Sequence, residues 1–543
     1  MRRRLLRWLA CGALGTFALA ACSVDAPATA RAVPAAGGSV TEALAGPVGP
    51  LNPLLEAADN EADVDGLIYE GLTTVDANQN AAPLLARSWS VSSDGLTYTV
   101  NLRTGVRWAD GRPFTADDVV FTYRLLQTPE HRQAGTEFWR QIGVDEMGPD
   151  VVRFTLKGPS ASFPFALRHG IIPQHVFANV PLGRMASDPH SNAAAFGTGP
   201  FRVSSIGADR RTITLERNPH ARQRPYLDRF VFKVYGGLPD ALRAAGQGSV
   251  DTLGALQPPG ISTLEQTPNL AVQEHRTFTT AGVFFGLTNA NAAYFGDASV
   301  RLALVRAVDR QAIVSGTLQG HGQPAPGPIP PGSWAYRASE AGKYGYDPAA
   351  AREALTRAGW QVDQRTGIRA RNGVPLSVTL DTPDTYPYVQ VAQAVSRQLR
   401  AVGVDAKVAP LPTTTVIQRL VDRNYQLALA TLDCGPDPDQ FVYWHSNQPG
   451  GALNFSSPMP SHQALIDKDL EDGRAAPARQ TRLADYADVQ GLLSDGAPAI
   501  FLVSLTYTYA VSKRLKGVRI NPVIGPGDRL QHASGWYVET RIQ

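Results

Sequence analysis

The chain has 543 residues, 43% of them hydrophobic and 18% charged. That composition excludes a disordered chain and is long enough for more than one core. A net charge of +3 with no basic run beyond the N-terminus excludes nucleic acid as a partner, and 41 prolines with 50 glycines spread along the chain point to a loop-rich mixed α/β fold rather than a helical bundle.

The first residues read as a targeting segment. Arg2, Arg3, Arg4 and Arg7 make a positive start, and Leu9 to Leu19 is apolar but too short for a membrane-spanning helix. Leu19-Ala20-Ala21-Cys22 then resembles the bacterial lipobox. The resemblance implies cleavage after residue 21, a diacylglyceryl group on the Cys22 thiol, and a chain held by lipid on the extracytoplasmic face of the cell membrane. An ordinary cleaved signal with an incidental cysteine is the alternative. The adjacent arginines suit either general or twin-arginine export. Residues 22–37 are small, Pro- and Gly-bearing and nearly uncharged, which reads as a flexible tether. Once Cys11 is cleaved away and Cys22 is lipidated, Cys434 stands alone, so the fold has no intrachain disulfide.

Strict alternation begins near residue 96. Leu96, Tyr98, Val100 and Leu102 point one way, and Thr97, Thr99, Asn101 and Arg103 the other, which predicts a half-buried strand after the Ser93-Asp94-Gly95 turn. Val106 and Trp108 follow, ended by Asp110-Gly111. Thr115-Ala116-Asp117-Asp118 predicts a helix start, with the aspartates at the positive end and Val119, Thr122, Tyr123 and Leu126 on one face.

This stretch, with Ser88-Trp89, Asp94-Gly95-Leu96-Thr97-Tyr98, Leu102-Arg103, Gly105-Val106, Trp108, Asp110-Gly111 and Pro113-Phe114-Thr115-Ala116-Asp117-Asp118-Val119-Val120, resembles the signature of the family 5 extracellular solute-binding proteins. These are the dipeptide- and oligopeptide-binding components of ABC importers. The resemblance implies an α/β two-lobe periplasmic-binding-protein-like clamshell, of the large peptide-binding type with an extra subdomain in lobe I. It also implies a monomer that takes a peptide ligand and passes it to an ABC permease and ATPase complex.

Further stretches keep the family order. Gly38 to Leu44 resembles a first strand, and Gly66 to Leu72 has Leu67, Ile68 and Leu72 as core candidates, with Tyr69 either core or cleft lining. His175, after the Pro173 turn, reads as a structural hydrogen-bonder. Gly197-Thr198-Gly199-Pro200 could leave amides free for an anionic group or be a plain turn. The apolar run Val283 to Leu287 is where the resemblance places the first crossing between lobes. A helix from Val300 to Arg310, a Pro-rich loop ending near Trp334, a strand at Ser377 and a helix from Val389 to Val402 follow.

An apolar strand then ends at Asp433, in a turn crowded with Gly435, Pro436 and Pro438. In the peptide-binding members an Asp at this strand end pairs with the α-ammonium of the ligand, and Asp433 matches that position. A peptide terminus buried between lobes has to be paired, because burying it alone costs several kcal/mol. Asp433, Cys434, Gly435 and Trp334 are therefore the expected ligand contacts, against the plainer reading of Asp433 as a capping aspartate. Asp437 and Asp439 read as turn aspartates. Dipeptide-selective members carry an Arg in the preceding strand for the ligand carboxylate. Leu376 to Asp384 has none, so a longer peptide or another ligand is easier to accept than a dipeptide.

The expected domains are a signal at 1–21, a tether at 22–37, lobe I at 38–282, lobe II at 283–497 and a return to lobe I at 498–543. No GxSxG, Walker, HExxH or CxxC pattern occurs, and the ten histidines are not paired at helical spacing. No catalytic residue, metal site or cofactor is expected. The alternatives are the same fold holding haem or a nickel chelate, and a non-transport lipoprotein regulating the envelope.

Overall fold

The computed structural model describes residues 32–131, 136–447, 453–456 and 460–542. The expected signal segment and Cys22 lie outside the described residues.

Two mixed sheets organise the two lobes. The first has seven strands, in the spatial order Leu270–Arg276, Thr506–Ser512, Thr252–Gly254, Ser39–Ala45, Arg229–Tyr235, Thr212–Arg217 and Phe201–Ile206. Ser39–Ala45 lies parallel to both its neighbours. The second has six strands, Gln323–Pro324, Ala499–Ser504, Thr279–Phe285, Leu427–Asp433, Ser377–Pro383 and Asp405–Leu411. Helices such as Ala298–Arg306 and Tyr388–Arg400 cover its faces, so its inner strands are apolar on both sides.

The chain therefore passes between lobes at Thr277–Phe278 and returns at Leu505, not at 283 and 498 as the sequence led us to expect. The run Val283 to Leu287 misleads because it belongs to a central strand buried on both faces, and such a run carries no mark of which sheet it enters. The actual crossing is polar. The Thr277 hydroxyl donates to the Leu505 carbonyl at 2.6 Å, which joins the two crossings, and it also sits 2.8 Å from the Thr279 hydroxyl.

The expected tether also ends early. Ala32–Ala35 pairs antiparallel with Glu539–Ile542. Small residues form a ladder readily when a partner edge is offered, because the ladder uses only backbone groups.

The family signature builds the subdomain of lobe I. A four-stranded antiparallel sheet, Ala86–Val91, Thr97–Leu102, Val151–Thr155 and Gly143–Gly148, packs with helix Ala116–Leu126. Tyr98, Val100 and Leu102 are buried, as the alternation predicts. Asp118 fixes the corner. Its carboxylate accepts from the Thr115 amide at 3.0 Å, the Trp108 indole at 3.2 Å and the Gln174 amide at 2.9 Å. His175 bonds Asp110 at 2.8 Å, the structural role expected of it.

Candidate functional site

Strand Leu427–Asp433 runs through the interior of the second sheet, with Asp433 directly opposite Thr279. It stops there because Gly435 takes φ +59° and Pro436 and Pro438 have no amide to donate. The turn is closed by the Gly435 amide, which donates to Asp433 Oδ1 at 3.0 Å. The Tyr443 hydroxyl clamps the backbone of the same residue, donating to its carbonyl at 3.0 Å and accepting from its amide at 3.2 Å. The Asp433 side chain is open to solvent at its tip, yet protein surrounds it on most sides, the environment of a cleft wall. Burial raises its pKa, partly offset by the Gly435 amide and the charge of Arg168. It has no ion-pair partner within 4.0 Å among the described residues.

The other expected contacts hold this loop from behind. The Cys434 thiol is buried, donates to the Pro328 carbonyl at 3.3 Å and accepts from Gln440 Nε2 at 2.8 Å. Burial pushes its pKa far up, so it stays a neutral thiol turned into lobe II. Trp334 is half-buried. Its indole donates to the Pro436 carbonyl at 3.1 Å, and its ring lies under the guanidinium groups of Arg479 and Arg482. Asp437 and Asp439 do more than shape a turn. Arg482 donates to both oxygens of Asp437 at 2.7 and 2.6 Å, and Asp439 accepts from Arg474 at 2.9 Å and from Ser162 of lobe I at 3.0 Å.

Lobe I contains a cavity of about 420 Å³. Its walls come from helix Asp59–Ile68 and the turn after it, and from residues 168–170, 198–200, 221–223 and 524–534. Tyr69 is both buried and cavity-lining, and its hydroxyl donates to the Leu51 carbonyl at 3.3 Å. Arg168 pairs with Asp528, and Arg222 with Glu70 at 3.3 Å. The charges of Arg168 and Asp528, which line this cavity, act on the Asp433 carboxyl from across the lobes. Burial lowers the His169 pKa to about 4, so the imidazole beside the cavity is neutral.

The glycines of residues 197–199 serve close packing. A Cβ on Gly197 would stand 2.1 Å from the Ile68 carbonyl oxygen, and the Gly199 amide is spent on that same carbonyl at 2.8 Å. That amide is therefore taken, and an anion-binding role is not supported there.

The rim is closed by contacts between lobes. Gln79 Nε2 donates to the Gly332 carbonyl at 2.8 Å, Arg479 to the Asn78 carbonyl at 2.9 Å, and the Ala161 amide to the Arg474 carbonyl at 2.8 Å. Among the described residues no cluster of three His, Cys, Asp or Glu side chains could hold a metal ion, and no helix is long and apolar enough to cross a membrane.

The sequence pointed to Asp433 as a ligand contact and gave no sign of the lobe I cavity. Glu56 with Asp65, Arg168 with His169, and Asp528 come from three distant parts of the chain, and no local spacing links the three.

Residues 80–452 match the model described as bacterial extracellular solute-binding proteins, family 5, middle part. The chain is 28% identical over 481 residues to the oligopeptide-binding protein AppA of Bacillus subtilis, covering 87% of each. It is 31% identical over 470 residues to protein XP55 of Streptomyces lividans, covering 84% of this chain and 82% of that one. The solved structure of Bacillus subtilis AppA in complex with a nonapeptide superposes with a TM-score of 0.74 at 25% identity, over 93% of this chain and 100% of the other. A two-lobe clamshell and a match across most of the chain agree: this protein belongs to the bacterial extracellular solute-binding proteins, family 5.

Proposed function

We propose that this chain is the peptide-capturing receptor of an ABC importer, holding its ligand between Asp433 and the lobe I cavity. The observation that carries the reading is the Asp433 carboxylate, which ends a central strand, feels the charges of Arg168 and Asp528 on the lobe I cavity and has no ion-pair partner among the described residues. A peptide α-ammonium supplies the missing charge, and a charge-assisted pair in a cleft is stronger than one in open water. The relatives named for oligopeptide binding, and the neighbour solved with a nonapeptide, support the same ligand class. Cys434, Gly435 and Trp334 then act as the frame that aims Asp433. Hinge closure at Thr277 and Leu505 traps the ligand, and the closed form presents it to a permease and ATPase complex. The reading makes the protein a carrier rather than an enzyme. It acts as a monomer on the extracytoplasmic face of the membrane, lipid-anchored through Cys22.

Native mass spectrometry of the protein purified from its own host tests the ligand class. A distribution of bound peptide masses is the expected result. A haem, a nickel chelate or a protein that stays empty in peptide-rich medium contradicts it. For the anchor, Cys22→Ser is expected to move the protein from the membrane fraction to the soluble one, and an unchanged distribution contradicts lipidation.

A further inference from the structure

The lobe I cavity holds polar atoms that the protein itself leaves unsatisfied. Asp65, in the last turn of helix Asp59–Ile68, is 2% exposed and lines the cavity. Neither of its carboxylate oxygens has a hydrogen-bond partner at acceptable geometry among the described residues. The groups that act on it are the Glu56 and Glu61 carboxyls and the Asn52 amide. A few steps along the same wall, Glu70 Oε2 and the Thr198 hydroxyl are buried close to each other without a bond of good geometry. Buried polar atoms are satisfied in the great majority of cases, and an exception asks for a missing partner.

The missing partner is a donor, and among the described residues no cation acts on Asp65. Arg168 is engaged by Asp528 and Arg222 by Glu70 Oε1. His169 is neutral, with its Nε2 itself unpartnered. Glu56, on the same wall, adds a second carboxyl rather than a counter-charge, and burial pushes it up to about 7. A neutral peptide stretch offers one amide donor at a time. Asp65 and Glu70 together present three open acceptor positions, the pattern that an ammonium or guanidinium head with several N–H groups satisfies.

We infer that the preferred ligand is a peptide carrying a basic side chain, whose ammonium or guanidinium group seats against Asp65 and Glu70 in the lobe I cavity. The inference rests on the reading of the chain as a peptide receptor. It adds a second cation site, in lobe I, to the α-ammonium site proposed at Asp433 in lobe II. Position along the peptide is set by the reach between the two walls, so the test scans it.

Isothermal titration calorimetry on the mature protein uses pairs of short peptides that differ only in Lys or Arg against Gln, placed in turn at each of the first four positions. At one position the basic member is expected to bind about 10- to 100-fold tighter, the worth of a charge-assisted contact. Asp65→Asn, close to isosteric, is expected to erase that difference, with Glu70→Gln as a second variant should the first fail to fold. Circular dichroism and a melting curve confirm the fold of each.

Equal affinity within every pair on the wild-type protein overturns the inference while leaving the receptor reading intact. So does an Asp65→Asn variant that weakens basic and neutral members by one common factor. A protein that binds no peptide of either kind overturns the receptor reading and the inference with it.

Discussion

Asp437 and Arg482 form a two-point ion pair that is almost completely buried, and it anchors the loop carrying Asp433 to helix Arg479–Gly496. Removing only the cation strands a carboxylate in the interior. Arg482→Met is therefore expected to lower stability by about 3–5 kcal/mol, and Arg482→Met with Asp437→Leu to regain much of that. Chemical denaturation of the three proteins checks it, and a double variant no better than the single one contradicts it. His169 gives a pH-dependent counterpart. Its pKa is lowered from 6.5 to about 4 by burial, with His131 adding a smaller push. Between those values the unfolded chain takes up a proton that the folded chain refuses, so this residue makes stability fall as pH drops from 6.5 towards 4. Relative to the wild type, His169→Gln is expected to gain ground in melting temperature across that window. Glu56 titrates with the opposite sign in both proteins and cancels in the comparison. A gap independent of pH contradicts the assignment. At this scale the sequence exposed Asp433, because a carboxylate ending an apolar strand before Gly and Pro is conspicuous. Asp65 was hidden, because the orphaned state of its oxygens arises only when four distant segments enclose one cavity.

Elements in this chain are legible where one face is wet and the other dry. Thr97–Leu102 alternates and was readable residue by residue, and so was helix Ala116–Leu126, with its acidic first turn. Thr279–Phe285 and Ala499–Ser504 are buried on both faces, so neither alternation nor composition told their sheet, and the lobe boundaries were misplaced by a few residues at each crossing. The corner at Asp118 shows what the readable part contributes. Three N–H donors converge on one carboxylate, and Asp118→Ala leaves two backbone amides and an indole without that acceptor. The expected cost is about 3 kcal/mol, from hydrogen bonds worth about 1 kcal/mol each. Peptide affinity should be unchanged, because the corner lies away from the cavity walls. Parallel denaturation and calorimetry separate the two effects. A variant as stable as the wild type contradicts the structural role.

The main sheets of the two lobes are joined by two short crossings, with the Thr277 hydroxyl bonded to the Leu505 carbonyl between them. The hinge of the proposed receptor is these two crossings, and the contacts Gln79–Gly332 and Ser162–Asp439 also join the lobes. Small-angle scattering is expected to show a smaller radius of gyration on adding peptide, with Asp433→Asn needing more peptide for the same contraction. The two-lobe plan was legible from the family pattern, which runs along nearly all of the chain after residue 38. The cavity was not, because its volume depends on how the lobe I segments meet. The central claim is that Asp433 holds the peptide's α-ammonium. Its most direct test is calorimetry of one peptide and its N-acetylated twin against the wild type and Asp433→Asn. The account predicts that the free amine binds the wild type about 10- to 100-fold tighter than its twin and that the gap closes in Asp433→Asn. Equal binding of the twins to the wild type, or a gap that survives in Asp433→Asn, contradicts it.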